Sequence, residues 1–386
     1  MNKLLNEVIL QYNQIENNSY KNTFSGTIQF FNKYSKELGV EVKRNPKRKL
    51  TDFYYNKYKI GSLRGLRVLT TTNGAFDLCR DKFKLEKHLE NLGFSSLNSK
   101  LFSSSEYNAA KNYIDENPNH TYVLKPLSLA GGMGIELNID SQNFEEAWEN
   151  SIAIQRKNNV ENPSCIIQRF VSGFDVRISI IEGKFSAAAL RLPSHIVGNG
   201  QANIKDLITR KNEKRLKIKY FTNKLIPIDN KLQNRLSNDN KSLSTVLDKD
   251  EIYLLSDISN LTLGGESIDI SDIVSEKIKM MALKSVAAIP GLYTGGVDMM
   301  TEDFTKDEAY IIEVNTNANH TMHHIPLKGK PKEPFRELIE MFIVKNKIKK
   351  GIQLENEETL LLKDIYKFSN LKDSYADMLL SDFLNS

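Results

Sequence analysis

Apolar positions along this chain follow two rhythms, and the changes between them mark its parts. "SGTIQFFNKYSKELG" repeats at helical spacing and stops at Gly39, after which "VEVKR" and "LRVLTTT" are rich in strand formers. A small mixed α/β lobe is therefore expected over residues 1–76. "DLCRDKFKLEKHLENLGF" predicts an amphipathic helix with Phe83, Leu85, Leu89 and Leu92 on its buried stripe and a glycine stop. "YVLKPLSLAGGMGIELNI" then reads as strand, glycine-rich turn, strand, and "NFEEAWENSIAIQRKN" as a second helix before the strand "SCIIQRFV". "DVRISIIEGKFSAAALRLPS" alternates on both sides of Glu182, Gly183 and Lys184, which predicts an antiparallel hairpin.

Residues 210–250 break the rhythm, because they are polar and rich in Asn and Lys, and they predict a mobile excursion outside the core. Order returns with "DEIYLLSDISNLTLGGESIDI" and the helix "SEKIKMMALKSVAAI". "YTGGVDMMTED" and "EAYIIEVNTN" follow as two strands meeting around Asp303 to Asp307, and a charged helical tail occupies 334–386. No internal repeat or low-complexity tract interrupts this order.

Composition narrows the class. The 386 residues are 40% hydrophobic and 26% charged, enough for two or three packed lobes. Cys79 and Cys165 alone make no disulfide framework or CxxC pair, so a reducing compartment is expected. The opening residues are polar too early for a signal peptide, and nowhere do about 18 apolar residues run together. The expectation is a soluble cytoplasmic protein with no membrane partner. The net charge of +5 is mild, yet Lys43, Arg44, Lys47, Arg48, Lys49, Lys57, Lys59, Arg64 and Arg67 concentrate it, as does the stretch Arg210 to Lys219. Interleaved with tyrosines, the first stretch could bind nucleic acid; the plainer reading is a solvated edge or a docking face for an acidic substrate.

The candidate chemistry lies in two places. "LSLAGGMGI" lacks GxxxxGK[ST] and runs into a strand, so neither a Walker loop nor a Rossmann turn fits. Its backbone N–H groups could still cover phosphates above Lys125; an ordinary hairpin with glycines at positive φ is the alternative. Further on, "GGVDMM" and "YIIEVNTN" put Asp298, Glu313 and Asn315 near the ends of adjacent strands, with Glu313 and Asn315 on one face. Three hard oxygen donors of this kind suit Mg²⁺ bridging nucleotide phosphates, whereas a salt-bridged strand end is the structural alternative. His320, His323 and His324 in "NHTMHH" leave zinc open, although the neighbouring donors are oxygens.

Taken in order, "CRDKFKLEKHLENLGF", "VLKPLSLAGGMGI", "IIQRFVSGFDVRISII", "ALRLPSHIVGNGQANIKDLI", "SNLTLGGESIDI", "GVDMM" and "IIEVNTNANHTMHH" resemble the ATP-grasp superfamily of carboxylate-amine ligases, over about residues 65–330. More narrowly, they resemble the ATP-grasp modules of cyanophycin synthetase and bifunctional glutathione synthetase. The resemblance implies an α+β ATP-grasp fold, with two α+β lobes gripping ATP. A small N-terminal α/β pre-ATP-grasp lobe over 1–76 would precede the ATP-grasp domain over 77–333, and a helical C-terminal tail would close the chain. The small lobe would span about 100–170 and the large lobe about 171–333.

It further implies that Lys82 and Lys125 contact ATP phosphates, with Gly131, Gly132 and Gly134 forming the loop over them. Gln168, Arg169, Phe170 and Val171 would be the adenine hinge, and Asp175 would bind the ribose. Arg177 and Arg191 would face the transferred phosphoryl group, and Asn260, Gly264 and Gly265 would close over the acyl phosphate. Asp298, Glu313 and Asn315 would hold Mg²⁺, with Mn²⁺ as an alternative, and His323 would contact substrate or deprotonate the amine. Gln168 replaces the glutamate usual at the hinge, and Ser194 and His195 replace a small variable pair. No Mur-ligase-like or glutamate-cysteine ligase module is expected here, so neither cyanophycin synthesis nor complete glutathione synthesis is. The expected activity joins a small-molecule carboxylate, activated by ATP, to an amine of an amino acid or peptide. A small-molecule kinase, a non-catalytic ATP-binding regulator and a homodimeric assembly remain open at this point.

Overall fold

The computed structural model describes residues 3–11, 23–129 and 132–385. Helices α1 (Lys3–Gln11) and α2 (Thr27–Glu37) lead into strands β1 (Glu41–Asn45), β2 (Leu50–Tyr55), β3 (Tyr58–Arg64) and β4 (Arg67–Val68). These four pair in chain order as an antiparallel meander. The stretch expected as strand after Arg67 gives only two strand residues, because Thr72 turns the chain by accepting a bond from Ala75 N at 3.2 Å.

The single helix expected from residue 77 is two: α3 (Asn73–Arg80) and α4 (Lys82–Asn91). Asp81 separates them in an extended conformation and caps the second, accepting from Lys84 N at 3.0 Å. Leu85, Leu89 and Leu92 are buried as the periodicity required, and Phe83 is half-buried.

β5 (Lys100–Ser103), α5 (Tyr107–Asp115), β6 (Tyr122–Pro126), β7 (Glu136–Ile139), α6 (Phe144–Lys157) and β8 (Ser164–Arg169) make an antiparallel sheet in the order β5-β8-β6-β7, backed by two helices. Trp148, Phe144 and Ile114 pack against Leu124 and Ile167 in its core.

The central sheet is built from β9 (Phe174–Ile181) and β10 (Lys184–Leu192), the expected hairpin, whose turn residues Glu182 and Gly183 take positive φ. The chain then leaves this sheet through β11 (His195–Val197), α7 (Ile204–Leu216), α8 (Asn230–Asn238) and β12 (Ile252–Leu254), and returns as β13 (Glu266–Asp269), α9 (Glu276–Ala288), β14 (Gly295–Thr301) and β15 (Tyr310–Asn315). The resulting order is β13-β10-β9-β14-β15, antiparallel throughout. Its apolar face is covered by α9 and by α12 (Asn356–Asn385), with Val176, Leu190, Val297 and Ala282 at the centre. α10 (Thr321–His324) and α11 (Pro334–Lys349) complete the fold. Phe335, Leu338 and Phe342 of α11 share a core with Phe30, Phe31 and Phe53 of the leading lobe.

The excursion corrects a sequence expectation. Residues 210–250 are not a loose loop: Ile204, Ile208, Ile226, Leu232, Leu236 and Leu247 close a core of their own with Ile196 and Tyr253. Its apolar residues lie far apart in a polar sequence, so average polarity concealed them; folding brings them together.

Candidate active site

Between the small antiparallel sheet and the central sheet lies a cleft of about 1450 Å³. Lys82, Lys125, Gly132, Gln168, Arg169, Phe170, Val171, Asp175, Arg191, Asn260, Asp298, Glu313 and Asn315 all line it, so the topology gathers residues spread over more than two hundred positions. Gly131 lies outside the described residues. Arg177, Gly134, Gly264, Gly265 and His323 do not reach the wall; Gly264 packs against Ile226, where a Cβ would lie 2.4 Å from its Cγ1.

On the small-sheet side, Lys125 is buried on β6 and its Nζ donates to Gln168 Oε1 on β8 at 2.8 Å. Gln168 Nε2 in turn donates to Glu86 Oε2 of α4 at 2.7 Å and contacts Ser99 Oγ at 2.9 Å. The lysine thus binds the amide through its carbonyl oxygen, which a glutamine at this position can supply. Burial first, then the neighbouring Lys82, pulls the Lys125 ammonium down to about 8. Burial disfavours the Glu86 anion, but donors from Ser99, Ser96 and Gln168 outweigh it and hold that carboxyl below its usual range. Glu86 and Ser99 were not foreseen as site residues. Glu86 is hidden in the polar face of an ordinary amphipathic helix, and its role comes from reaching Gln168 across 82 positions of chain.

Gly132 and Gly134 take φ of +81 and +69, as the turn after Lys125 requires. Gly134 faces inward: a Cβ there would lie 2.9 Å from Pro126 Cγ, so it closes the turn and does not line the cleft.

The central sheet supplies a charge cluster. Arg177 on β9 donates through Nε to Asp298 Oδ1 and through Nη2 to Oδ2 at 2.8 Å. Arg191 Nη2 approaches Asp298 Oδ2 at 3.0 Å and donates to Asp175 Oδ1 at 2.6 Å. These contacts follow from register, since Asp298 lies directly opposite Arg177 and Asp175 opposite Arg191. Burial opposes the Asp298 anion, yet the two guanidinium groups hold it far below its usual range; burial raises Asp175 against the pull of Arg191. Arg177 stands behind Asp298, which explains its absence from the wall. Asp175 Oδ1 is engaged by Arg191, and Oδ2 has no hydrogen-bond partner among the described residues.

At the sheet's edge Asn315 Nδ2 donates to Glu313 Oε1 at 2.8 Å and lies 3.4 Å from Asp298 Oδ2; Lys82 Nζ is 3.8 Å from Glu313 Oε2. Glu313, the Asn315 carbonyl and Asp298, whose two oxygens already accept from the arginines, are the hard oxygen donors here, and among the described residues no cluster of three His, Cys, Asp or Glu forms. The set fits Mg²⁺, or Mn²⁺, completed by phosphate oxygens, and fits zinc poorly.

The histidines lie deeper than expected. His320 Nδ1 pairs with Ser179 Oγ at 2.7 Å, and His324 stacks between Phe30 and Phe335. His323 is 2% exposed and its Nε2 has no hydrogen-bond partner among the described residues. Burial first, then His320 and the arginines, keeps its imidazole neutral well below the usual range.

The loop Asn260 to Gly265 borders the cleft through Asn260 and Leu261. Asn260 Oδ1 accepts from Thr262 N at 2.9 Å and Thr262 Oγ1 at 2.7 Å. Gly265 packs beneath it, where a Cβ would lie 2.7 Å from Asn260 O. The excursion grips this loop: Arg215, fully buried, donates to Gly265 O at 3.1 Å, and Lys211 Nζ lies 2.6 Å from Glu266 Oε1. Arg215 was read only as part of a basic stretch, since nothing local reveals a carbonyl 50 positions away.

The family described as "ATP-grasp domain" matches residues 79–319. The chain belongs to the ATP-grasp family. Its α+β architecture is the ATP-grasp fold, and a bifunctional glutathione synthetase from Pasteurella multocida shares it, with a TM-score of 0.60 and 21% identity over 84% of this chain and 45% of that one. Cyanophycin synthetase from Geminocystis herdmanii is 34% identical over 231 residues, 58% of this ATP-grasp chain and 26% of the relative. The glutathione biosynthesis bifunctional protein of Enterococcus faecalis is 28% identical over 234 residues, 58% of this chain and 30% of its own. The chain thus spans between about a quarter and under a half of the length of these proteins. Among the described residues, no helix is long and apolar enough to cross a membrane.

Proposed function

We propose that this chain is an ATP-dependent carboxylate-amine ligase, forming an amide from a small-molecule carboxylate and the amine of an amino acid or peptide. The observation that carries this reading is the meeting of Arg177 and Arg191 at Asp298, on the floor of the cleft that Lys125 and Gln168 enter from the other side. Related ATP-grasp proteins named above as cyanophycin and glutathione synthetases support it.

A substrate carboxylate oxygen attacks the γ-phosphorus, the bond to the β,γ-bridging oxygen breaks, and ADP leaves with that electron pair. The amine then attacks the acyl carbon, phosphate departs, and the nitrogen loses a proton. Both steps gather negative charge on oxygens, so fixed cations in a partly desolvated cleft are what the chemistry needs, and no nucleophilic side chain is required. Lys125 and Lys82 would hold the phosphates, Gln168 to Val171 the adenine, and Oδ2 of Asp175 a ribose hydroxyl. Arg191 lines the cleft and would meet the transferring group; Arg177, one layer behind, orients Asp298. Asp298, Glu313 and Asn315 would hold Mg²⁺, whose charge neutralises the phosphate oxygens when it is bound. The Asn260–Gly265 loop and the Gly132 turn would keep water from the acyl phosphate. His323, buried and neutral, acts in this scheme as packing beneath the sheet.

Hydroxylamine offered with a carboxylate and ATP should intercept the activated acyl group as a hydroxamate, in step with ADP formation. ADP formed with a stable phosphate ester and no hydroxamate would assign a kinase instead, and absence of ATP turnover with every carboxylate tried would leave an ATP-binding regulator.

A further inference from the structure

One segment gives the cleft six of its lining residues: Leu254, Asp257, Ile258, Ser259, Asn260 and Leu261. No sheet sets its path, because β12 ends at Leu254 and β13 begins at Glu266. Its own bonds are local: Ile258 N donates to Ser256 Oγ at 3.1 Å, and Asn260 N contacts Ile258 O at 2.8 Å. Leu255 N reaches Ser194 O at 2.7 Å, and the side-chain bonds that fasten the segment from outside come from the excursion, through one arginine at each end.

At the first end, Arg235 of α8 donates through Nε to Leu254 O at 2.8 Å and through Nη1 to Asp257 Oδ2 at 2.5 Å. The rigid fork spans the bend by which the chain enters the cleft wall. At the second end, Arg215 of α7 donates through Nη2 to Gly265 O at 3.1 Å and through Nε to Lys224 O at 2.8 Å, with its guanidinium 4.8 Å from the Phe221 ring. Arg215 is fully buried, and its Nη1 has no hydrogen-bond partner among the described residues. Burying a guanidinium with one donor unmatched is unfavourable, so packing alone gives no reason for an arginine here.

The excursion also reaches the small sheet. Lys231, four residues before Arg235 on α8, stands near enough to Glu136 of β7 to oppose the rise that burial gives its carboxyl. Ile258 meets the same side of the cleft from the wall, since a Cβ at Gly132 would lie 3.7 Å from Ile258 Cγ2. α8 therefore approaches one side of the cleft and holds the other. Two guanidinium groups can fix a wall only if the helices that carry them are rigid, which gives the excursion's separate core a purpose.

We propose that the excursion is a clasp, in which Arg235 and Arg215 are positioning residues that hold residues 254–265 against the Gly132 turn and slow the escape of a bound nucleoside diphosphate. Neither arginine lines the cleft; each acts through the segment it holds. The identity of the bound molecule rests on the ligase reading, whereas the clasp is read from the contacts above.

Tritiated ADP, bound with Mg²⁺ and chased with excess unlabelled ADP, measures the escape directly. Arg235→Gln should speed release about tenfold, the effect of losing a charge-assisted pair. Asp257→Asn breaks the same pair from an exposed carboxylate, where misfolding is not at issue, and should speed release about threefold or more. The double variant should release ADP no faster than Arg235→Gln alone, because both changes remove one interaction. Arg235→Lys keeps the charge beside Asp257 and should recover part of the loss. Hydrogen exchange should rise over 254–261 while α7 and α8 keep their protection, a split that a merely structural arginine would not produce. Release unchanged or slowed in both single variants overturns the clasp and leaves the ligase reading standing, as do additive effects in the double variant. Protection lost throughout α7 and α8 in Arg235→Gln, with normal release in Asp257→Asn, also overturns it and makes Arg235 a support of the excursion alone. Failure of the wild type to bind ADP would strike the nucleotide reading of the cleft itself, and the clasp's role with it.

Discussion

Lys125→Met should make the nucleotide-free protein slightly more stable while removing its grip on ADP. Lys125 is 4% exposed, and its ammonium is pulled from 10.5 to about 8, by burial first and then by Lys82. At about 1.4 kcal/mol per pH unit, that drop corresponds to a cost of about 3 kcal/mol for keeping the side chain charged at neutral pH. Methionine removes the cost but also the bond to Gln168 Oε1, which contributes about 1–3 kcal/mol. Gln168 keeps Glu86 and Ser99, so the net gain is about 1 kcal/mol and the melting temperature should rise by about 2 °C.

The sign is checked by pH. Because the folded value lies below the unfolded one, the unfolded chain binds the extra proton between about 8 and 10.5. Wild-type stability from this group therefore rises through that window, and below about 8 the cost is full. In Lys125→Met that rise should vanish. A phosphate supplies the missing negative charge, so ADP affinity should fall about tenfold to a hundredfold in the variant. Thermal melting from pH 6.5 to 9.5 (about the range where most other groups are silent), with calorimetric titration of ADP, measures both. A variant that melts several degrees below wild type without nucleotide, or binds ADP as tightly, would refute the reasoning.

Asp298→Asn should destabilise the fold by about 3–5 kcal/mol even without nucleotide or metal, since it strips buried Arg177 of its anion and half-buried Arg191 of one of its two. Glu313→Gln, at a side chain 26% exposed, should leave melting nearly unchanged and shift only the Mg²⁺ titration; equal melting of the two variants would count against the ion-pair hub. Gly264→Ala should loosen the Asn260–Gly265 loop, because φ is +86 and the added Cβ would lie 2.9 Å from Ile226 Cα; hydrogen exchange confined to the loop and its partner Arg215 is the measurement, and unchanged protection would contradict it. Lys372 of α12 donates to the Ala287, Ile289 and Leu292 carbonyls at 3.1, 2.9 and 3.0 Å. Lys372→Met should therefore speed exchange along α12 without touching ADP affinity, and loss of ADP binding would show that the helix does more than brace the sheet.

Local rules made much of this protein legible before folding. The Glu182–Gly183 turn, the 3.6-residue stripe of Leu85 and Leu89, and the hairpin of β9 and β10 depend on neighbours a few positions apart, so local pattern carried them, although both faces of these strands are buried and no alternation of burial survives. The sequence order of the blocks resembling ATP-grasp ligases likewise singled out Lys125, Gln168, Arg191 and Asp298 as candidates, and all four line one cleft. What folding alone decided is how those groups are engaged. The pairing of Asp298 with two arginines follows from strand register, which sets side chains opposite one another across more than a hundred positions of chain. The Glu86–Gln168–Lys125 relay, the grip of Arg215 on Gly265, and the burial of His323 arise in the same way, from surfaces meeting at distances no local pattern encodes. The excursion at 210–250 shows the reason most directly: its hydrophobic residues are too sparse to announce a core in sequence, and become one only when α7 and α8 close over β11 and β12.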